Sequence, residues 1–351
     1  MDRKRLLISA VAVAVLFGLA YLQYREWRHF NWHYFYAEVK NVSPWRIGFG
    51  ILVVYVTYFL RALRWKLFLR PVKSTTLARM IAPQFIGFTG LAILGRPGEL
   101  IRPYLIAKKE KLTFSSQLAV WAVERIFDLG SFAALFAVNL TFSTSLRGIR
   151  YYDRIQRGGF LLLGLVVILA VTMVAIRFWG GPIASWLEAR RWPFKERIGS
   201  GLADKIRSFK EGLNTIHDLT TFLKILLVSL GMWMLVAFAY LQVTHAFPLL
   251  RHFKIAHVLL LMGFSIAGSI LQLPVVGGGS QLATITALTN VFEGVSPELA
   301  ACCGILLWLS TFMSVTPAGL FLAHREHVSL RELSKETHPE EDPEKKLVAS
   351  T

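Results

Sequence analysis

Cysteine is nearly missing from this chain. Cys302 and Cys303 are the only two in 351 residues, and they are adjacent in an apolar run. Neighbouring cysteines give neither a disulfide framework nor a metal-ligand spacing. They read as small residues that pack helices. Carboxylates are also few: 22 Asp plus Glu stand against 39 Lys plus Arg, a net charge of +17. Nine histidines fall mostly at loop or interface positions, and none shares a helix face with a carboxylate at metal-site spacing. No glycine-rich ATP loop occurs. A disulfide scaffold, a metal centre and an ATP-driven pump are therefore excluded on this chain. No cofactor is expected, and no nucleophile–base pair marks an enzyme.

Apolar sequence is what the chain has in quantity. Hydrophobic residues make up 54% and aromatics 13%, and mean hydropathy is +0.49. Several runs approach the ~20 residues that cross a bilayer. Basic residues sit in short loops between those runs, which points to topology and anionic lipid headgroups and not to nucleic acid.

In chain order, Leu6 to Tyr21 reads as a retained signal-anchor helix, with a cleaved signal peptide as the alternative. Ile47 to Leu60 is a second span, extended by Arg61 and Arg64, whose long side chains are expected to reach out to the interface. Residues 79–94 are apolar but hold Pro83, Gly87 and Gly90. Spans follow at Ser115 to Phe142, Phe160 to Trp179 and Ile225 to Phe247, then Ile255 to Leu273, a short piece at Ser280 to Phe292, and Leu299 to Ala323. Apolar residues from Ile198 to Ile216 recur at steps of three and four among lysines and arginines, which predicts a basic amphipathic helix over 195–217. It lies either on an anionic membrane surface or against the protein's own inner face. The expected division is a membrane domain over 1–323 and a charged, disordered tail over 324–351.

Lys and Arg concentrate in 2–5, 61–79, 96–113, 177–221 and 324–351, which places both termini in the cytoplasm. Both ends of 79–94 then lie on one side. That stretch reads as a re-entrant hairpin, and 255–293 as a second one entered from the opposite side. The expected fold is an all-α polytopic integral membrane protein with about six full transmembrane helices plus two re-entrant helical hairpins. This is the inverted-repeat plan of many transporters. Eight plain crossings are the alternative.

Three constellations carry chemistry. Gly95-Arg96-Pro97-Gly98-Glu99 with Arg102 breaks an apolar helix and starts a new one. Pro97 suits a first helical turn, and Glu99 meets the helix dipole there. Two guanidinium groups beside a break can fork onto a phosphate or headgroup; the plainer reading is a rim loop with topological arginines. Glu124, Arg125 and Asp128 share one helix face within a span. Such charges must face inward and find partners, as an ion-pair network or as a substrate or coupling site. Arg125 is the expected partner of one carboxylate, and Arg96 or Arg102 of the other. The third is Gly277, Gly278 and Gly279 with Ser280 and Gln281 after Pro274. There the backbone can approach a ligand and expose N–H groups, or merely turn tightly.

These residues resemble the transmembrane flippase-like family named after lysylphosphatidylglycerol synthase. The resemblance runs from about Ile47 to Ala323 and includes the Arg61 to Trp65 end of the second span, the two charged motifs, and the Pro274 to Gly278 turn with Gly294-Val295. It implies a bacterial inner-membrane protein that moves lipids between leaflets. Family synthases carry a soluble aminoacyl-transfer domain; the chain ends at Thr351 without one, so aminoacylation is not expected. Members often show a Gly-Gly-Leu-Gly stretch with a Glu shortly after. Here no carboxylate follows Gly277 before Glu293. The expected function is an ATP-independent lipid flippase or transporter acting on an anionic or lipid-linked substrate, with membrane lipids as partners. The alternative is a non-transporting membrane component that recruits or stabilises an envelope-lipid enzyme.

Overall fold

A computed structural model describes residues 32–189, 219–269 and 278–326. The expected first helix, the amphipathic helix at 195–217, Gly277 and nearly all of the tail lie outside the described residues. Within them the protein is helical. In order come α1 (Trp32–Asn41), α2 (Pro44–Leu69), α3 (Leu77–Leu94), a 3₁₀ turn (Arg96–Leu100), α4 (Ile101–Glu110), α5 (Phe114–Phe142) and α6 (Tyr152–Ala189). Then come α7 (Leu219–His245), α8 (Ile255–Gly268), α9 (Gly278–Asn290), α10 (Pro297–Trp308), a π-helical turn (Leu309–Met313) and α11 (Val315–Arg325).

Among the described residues, four segments are long and apolar enough to cross a membrane: Pro44–Leu69, Leu77–Leu94, Leu219–His245 and Pro297–Arg325. The last is α10 and α11 joined through the π turn. Helix α5 has 29 residues, about 43 Å at 1.5 Å each, but Glu124, Arg125 and Asp128 interrupt its apolar sequence.

Helices α2 and α7 pack together and run antiparallel. Arg46 donates to Gln242 Oε1 at 3.2 Å near one end, and Arg64 donates to Ser229 Oγ at 2.9 Å toward the other. On this pair sit two helical hairpins. The first is α3, the 3₁₀ turn and α4; its two ends meet where Arg79 donates to Glu110 at 2.7 Å. The second is α8 and α9; its ends meet where the Phe253 and Phe292 rings pack at a tilt with centroids 4.8 Å apart. These closures lie at opposite ends of the molecule. The Glu110 end also holds the Lys109–Glu326 pair. The Phe253 end also holds the bond from Ser43 N–H to the Ala246 carbonyl.

Between those ends the tip of the first hairpin meets the end of α8: Arg96 donates to the carbonyl of Ser269 at 3.0 Å. The packing is reciprocal. Helix α3 lies on α2 and α11, while α8 lies on α7 and α5.

Glycine sets the tips. Gly95 has φ 71°, a conformation that costs a residue with a Cβ, and it ends α3. A Cβ on Gly98 would stand 2.1 Å from the Gly90 carbonyl oxygen, and one on Gly268 2.2 Å from that of Gly279. Each hairpin thus crosses glycine on glycine.

Candidate functional site

The centre of the first half is an ion-pair cluster, built where α2, α4 and α5 meet. Glu124 and Asp128 stand one turn apart on the inner face of α5 and are 0% and 3% exposed. Arg64, on α2, is 0% exposed and bridges them. One of its amino groups donates to Asp128 Oδ1 at 2.6 Å, the other to Glu124 Oε1 at 2.7 Å. Arg102, on α4, closes on Glu124 from the opposite side. It donates to Oε1 at 3.3 Å, to Oε2 at closer range, and to Gln84 Oε1 at 3.1 Å. Its guanidinium lies 4.7 Å from the ring of Trp65, whose indole N–H in turn holds Gln117 at 3.2 Å.

Two more arginines border the cluster. Arg61 lies 3.8 Å from Asp128 Oδ2 and 4.6 Å from the Phe88 ring centroid. Arg125 is 3.9 Å from Asp128 and 4.0 Å from Glu124. Four guanidinium groups thus surround two carboxylates. Buried charges need partners of opposite sign, and here positive charge is in excess.

Next to Arg61 opens a cavity of about 190 Å³, enclosed by α2, α3, both arms of the second hairpin, α7, α10 and the π turn. Arg61, Tyr240, Ser265, Gln281, Thr284 and Thr311 are among its walls. Arg61 is the single charged residue among the described walls. The π turn widens the last span at this level and presents Thr311 inward, a use such turns often serve.

A family model described as lysylphosphatidylglycerol synthase TM region matches residues 5–319. The chain belongs to this family. No curated protein and no solved structure matches it. The motifs that carried the resemblance occupy distinct places. Gly95 to Glu99 forms the tip of the first hairpin, with Arg96 half-exposed and paired to Glu99 at 3.2 Å. Glu124 and Asp128 form the buried cluster. Gly294, with φ 78°, turns the chain before α10. Among the described residues, the family chain's second hairpin carries no carboxylate along α9, and none lines the cavity.

The structure corrects several sequence expectations. Arg64 does not reach out to the interface; it points inward and neutralises both carboxylates, so Arg125 is a lesser partner. Arg102 pairs with Glu124 as expected, but Arg96 does not join them: it stays at the hairpin tip. Ser280 and Gln281 line the cavity, while Arg102 borders a separate small pocket with Glu99 and Arg125. Arg61 is the group that touches both the cluster and the cavity. Gly278 is buried at the start of α9, with φ 49°. Gly279 serves the hairpin crossing. Sequence reasoning passed over Arg61, Arg64, Gln84 and Ser229 as site residues. One signal was present: Arg61 and Arg64 are three apart, so they share a helix face as Glu124 and Asp128 do.

Proposed function

We propose that this chain moves an anionic or lipid-linked substrate between the leaflets of a bacterial inner membrane, without ATP and without catalytic chemistry of its own. The observation behind this reading is the meeting of two oppositely directed hairpins beside the Arg61 cavity. Read in a bilayer, the two are re-entrant and six helices cross, with both termini cytoplasmic. Broken helices that meet at mid-depth are how many transporters build a substrate site. A polar cavity there lets a headgroup cross while its acyl chains stay in lipid. It avoids the several kcal/mol that each unpaired polar group costs in hydrocarbon. Arg61, rather than Arg96 and Arg102, is the receptor for negative charge, because Arg102 is already engaged by Glu124.

The test is a leaflet-resolved assay in vesicles holding folded protein and a fluorescent anionic lipid. Faster exchange than in empty vesicles, reduced by Arg61→Lys, is expected. Exchange no faster than in empty vesicles would remove transport and leave the scaffold role for an envelope-lipid enzyme.

A further inference from the structure

Asp128 uses its two oxygens unequally. Oδ1 accepts a hydrogen bond from Arg64 at 2.6 Å. Oδ2 is buried and has no hydrogen-bond partner. Arg61 and Arg125 stand 3.8 and 3.9 Å from it, close enough for attraction but too far for a hydrogen bond. Arg61 is equally unsatisfied. Among the described residues its guanidinium makes no hydrogen bond; it rests 4.6 Å from the Phe88 ring centroid, with the cavity beside it. We infer that Asp128 is a built-in competitor for Arg61, which draws the guanidinium back when no anion fills the cavity and so limits how tightly an anion is held. This deepens the transport reading and rests on it, because it needs an anion to enter the Arg61 cavity.

The cluster does not need Arg61. Glu124 and Asp128 are matched in number by Arg64 and Arg102, which hydrogen-bond them directly. Arg61 is therefore surplus positive charge. When it moves toward a ligand, Asp128 keeps Arg64 on Oδ1 and has Arg125 near Oδ2. No carboxylate is stranded in the interior, which is the event that costs most when a buried pair is broken. Arg125 borders the separate small pocket, so it faces Oδ2 without entering the cavity.

The two claims on Arg61 differ in kind. An anion in the cavity can take the forked, charge-assisted hydrogen bonds that Arg61 lacks. Asp128 offers attraction across 3.8 Å. The Phe88 face adds a cation–π contact that favours charge over the ring without a directional bond. The anion wins while it is present, and Asp128 recovers the guanidinium when it leaves. The other described walls, among them Tyr58, Tyr240, Ser265, Gln281 and Trp308, are uncharged. Among the described residues Asp128 is the one carboxylate within 4 Å of Arg61.

Competition of this kind has a use in a carrier, which must release what it binds. A lone guanidinium in a cavity of low dielectric holds an anion strongly. A fixed carboxylate behind it reduces the apparent affinity by the fraction of time that the guanidinium is free. Asp128 is then a positioning residue: it touches no ligand and acts through Arg61.

The experiment is titration calorimetry on the full chain in detergent. The probe is dihexanoyl phosphatidylmethanol, which carries one negative charge and neither amine nor hydroxyl. Asp128→Asn should bind it about tenfold more tightly than wild type, since a competing negative charge is gone. Asp128→Glu keeps the charge and extends it by one methylene toward Arg61, so it should bind the probe more weakly. A merely structural role would weaken both variants. Infrared difference spectra, taken as the probe is added to wild type, should show a carboxylate stretch that shifts as Arg61 leaves and that Asp128→Glu moves. This readout stands even where Asp128→Asn folds poorly. Asp128→Asn binding no more tightly than wild type, or a wild-type spectrum without a carboxylate shift, would overturn the competition and leave the anion cavity intact. Absence of binding in wild type and both variants would overturn the cavity's anion reading and this inference with it. Methyl phosphate binding as tightly as the lipid would overturn the lipid source and make the anion a soluble phosphate.

Discussion

Arg64 reaches Asp128 with one amino group and Glu124 with the other, at 2.6 and 2.7 Å. One arginine on α2 therefore ties down two carboxylates on α5, and no water-facing group is involved. Cutting that link leaves both acids buried with less than their share of positive charge. Arg64→Gln should destabilise the fold by about 3–5 kcal/mol, the usual cost of removing one partner from a buried pair. Glu124→Gln should lower folded yield for the same reason, leaving Arg64 and Arg102 facing each other. Arg61→Lys, at the margin of the cluster, should cost far less. Thermal unfolding followed by fluorescence-detected size exclusion would rank the three. Arg64→Gln melting like wild type would refute a structural role for the bridge.

Gly98 should tolerate no side chain. Gly98→Ala puts a Cβ 2.1 Å from the Gly90 carbonyl oxygen, a backbone atom that cannot move aside cheaply. Overpacking of this kind costs about 1–3 kcal/mol or more. Gly231→Ala is the matched control, since a Cβ there meets nothing within 4 Å. The two variants should separate clearly in melting temperature; equal melting would mean that Gly98 and Gly90 do not pack backbone to backbone.

Acid should loosen the Glu110 end. Burial by itself pushes the Glu110 carboxyl up, but hydrogen bonds from Arg79 and Thr75 outweigh it and hold the group below its ordinary 4.5. A depressed carboxylate stabilises the fold fully above its unfolded pKa and loses that contribution as pH falls through the lower, folded value. Wild-type stability should therefore drop below about pH 4.5. Glu110→Gln should be less stable at neutral pH and show a shallower acid loss. Melting curves from pH 7 down to 3 check the sign, and a Glu110→Gln profile parallel to wild type would assign the acid response elsewhere.

Lys73 and Lys109 should face the same compartment. Both belong to the closure at Glu110, where Lys73 lies 3.9 Å from the carboxylate and Arg79 donates to the Lys109 carbonyl at 2.8 Å. Single cysteines at these positions, in a background lacking Cys302 and Cys303, should react together with a reagent confined to the cytoplasmic side. Opposite-side labelling would show that α3 crosses alone, and the re-entrant reading would fail.

Most helices could be placed from the sequence because each needs only local information. Apolar runs locate α5 to within one residue and the middles of α2 and α7, each of which runs six to nine residues past the apolar sequence at one end, and Gly95 with Pro97 marks the break after α3. Glu124 and Asp128 announced an inward face, since two carboxylates in an apolar helix must find partners. Which partners they find is not a local matter. Arg61 and Arg64 share α2 at a spacing of three, yet one borders a cavity and the other is sealed beneath it. That difference arises because α5 and α4 close over Arg64 while the second hairpin leaves space beside Arg61. The same holds for Arg96 and Arg102, six residues apart. The glycine crossing that brings Gly98 against Gly90 turns α4 so that Arg102 faces Glu124 and leaves Arg96 at the tip. Composition and spacing by themselves determined that this chain is a helical membrane protein with buried charge. Only the packing of helices distant in sequence decided which charges cancel and which one, Arg61, is left facing open space.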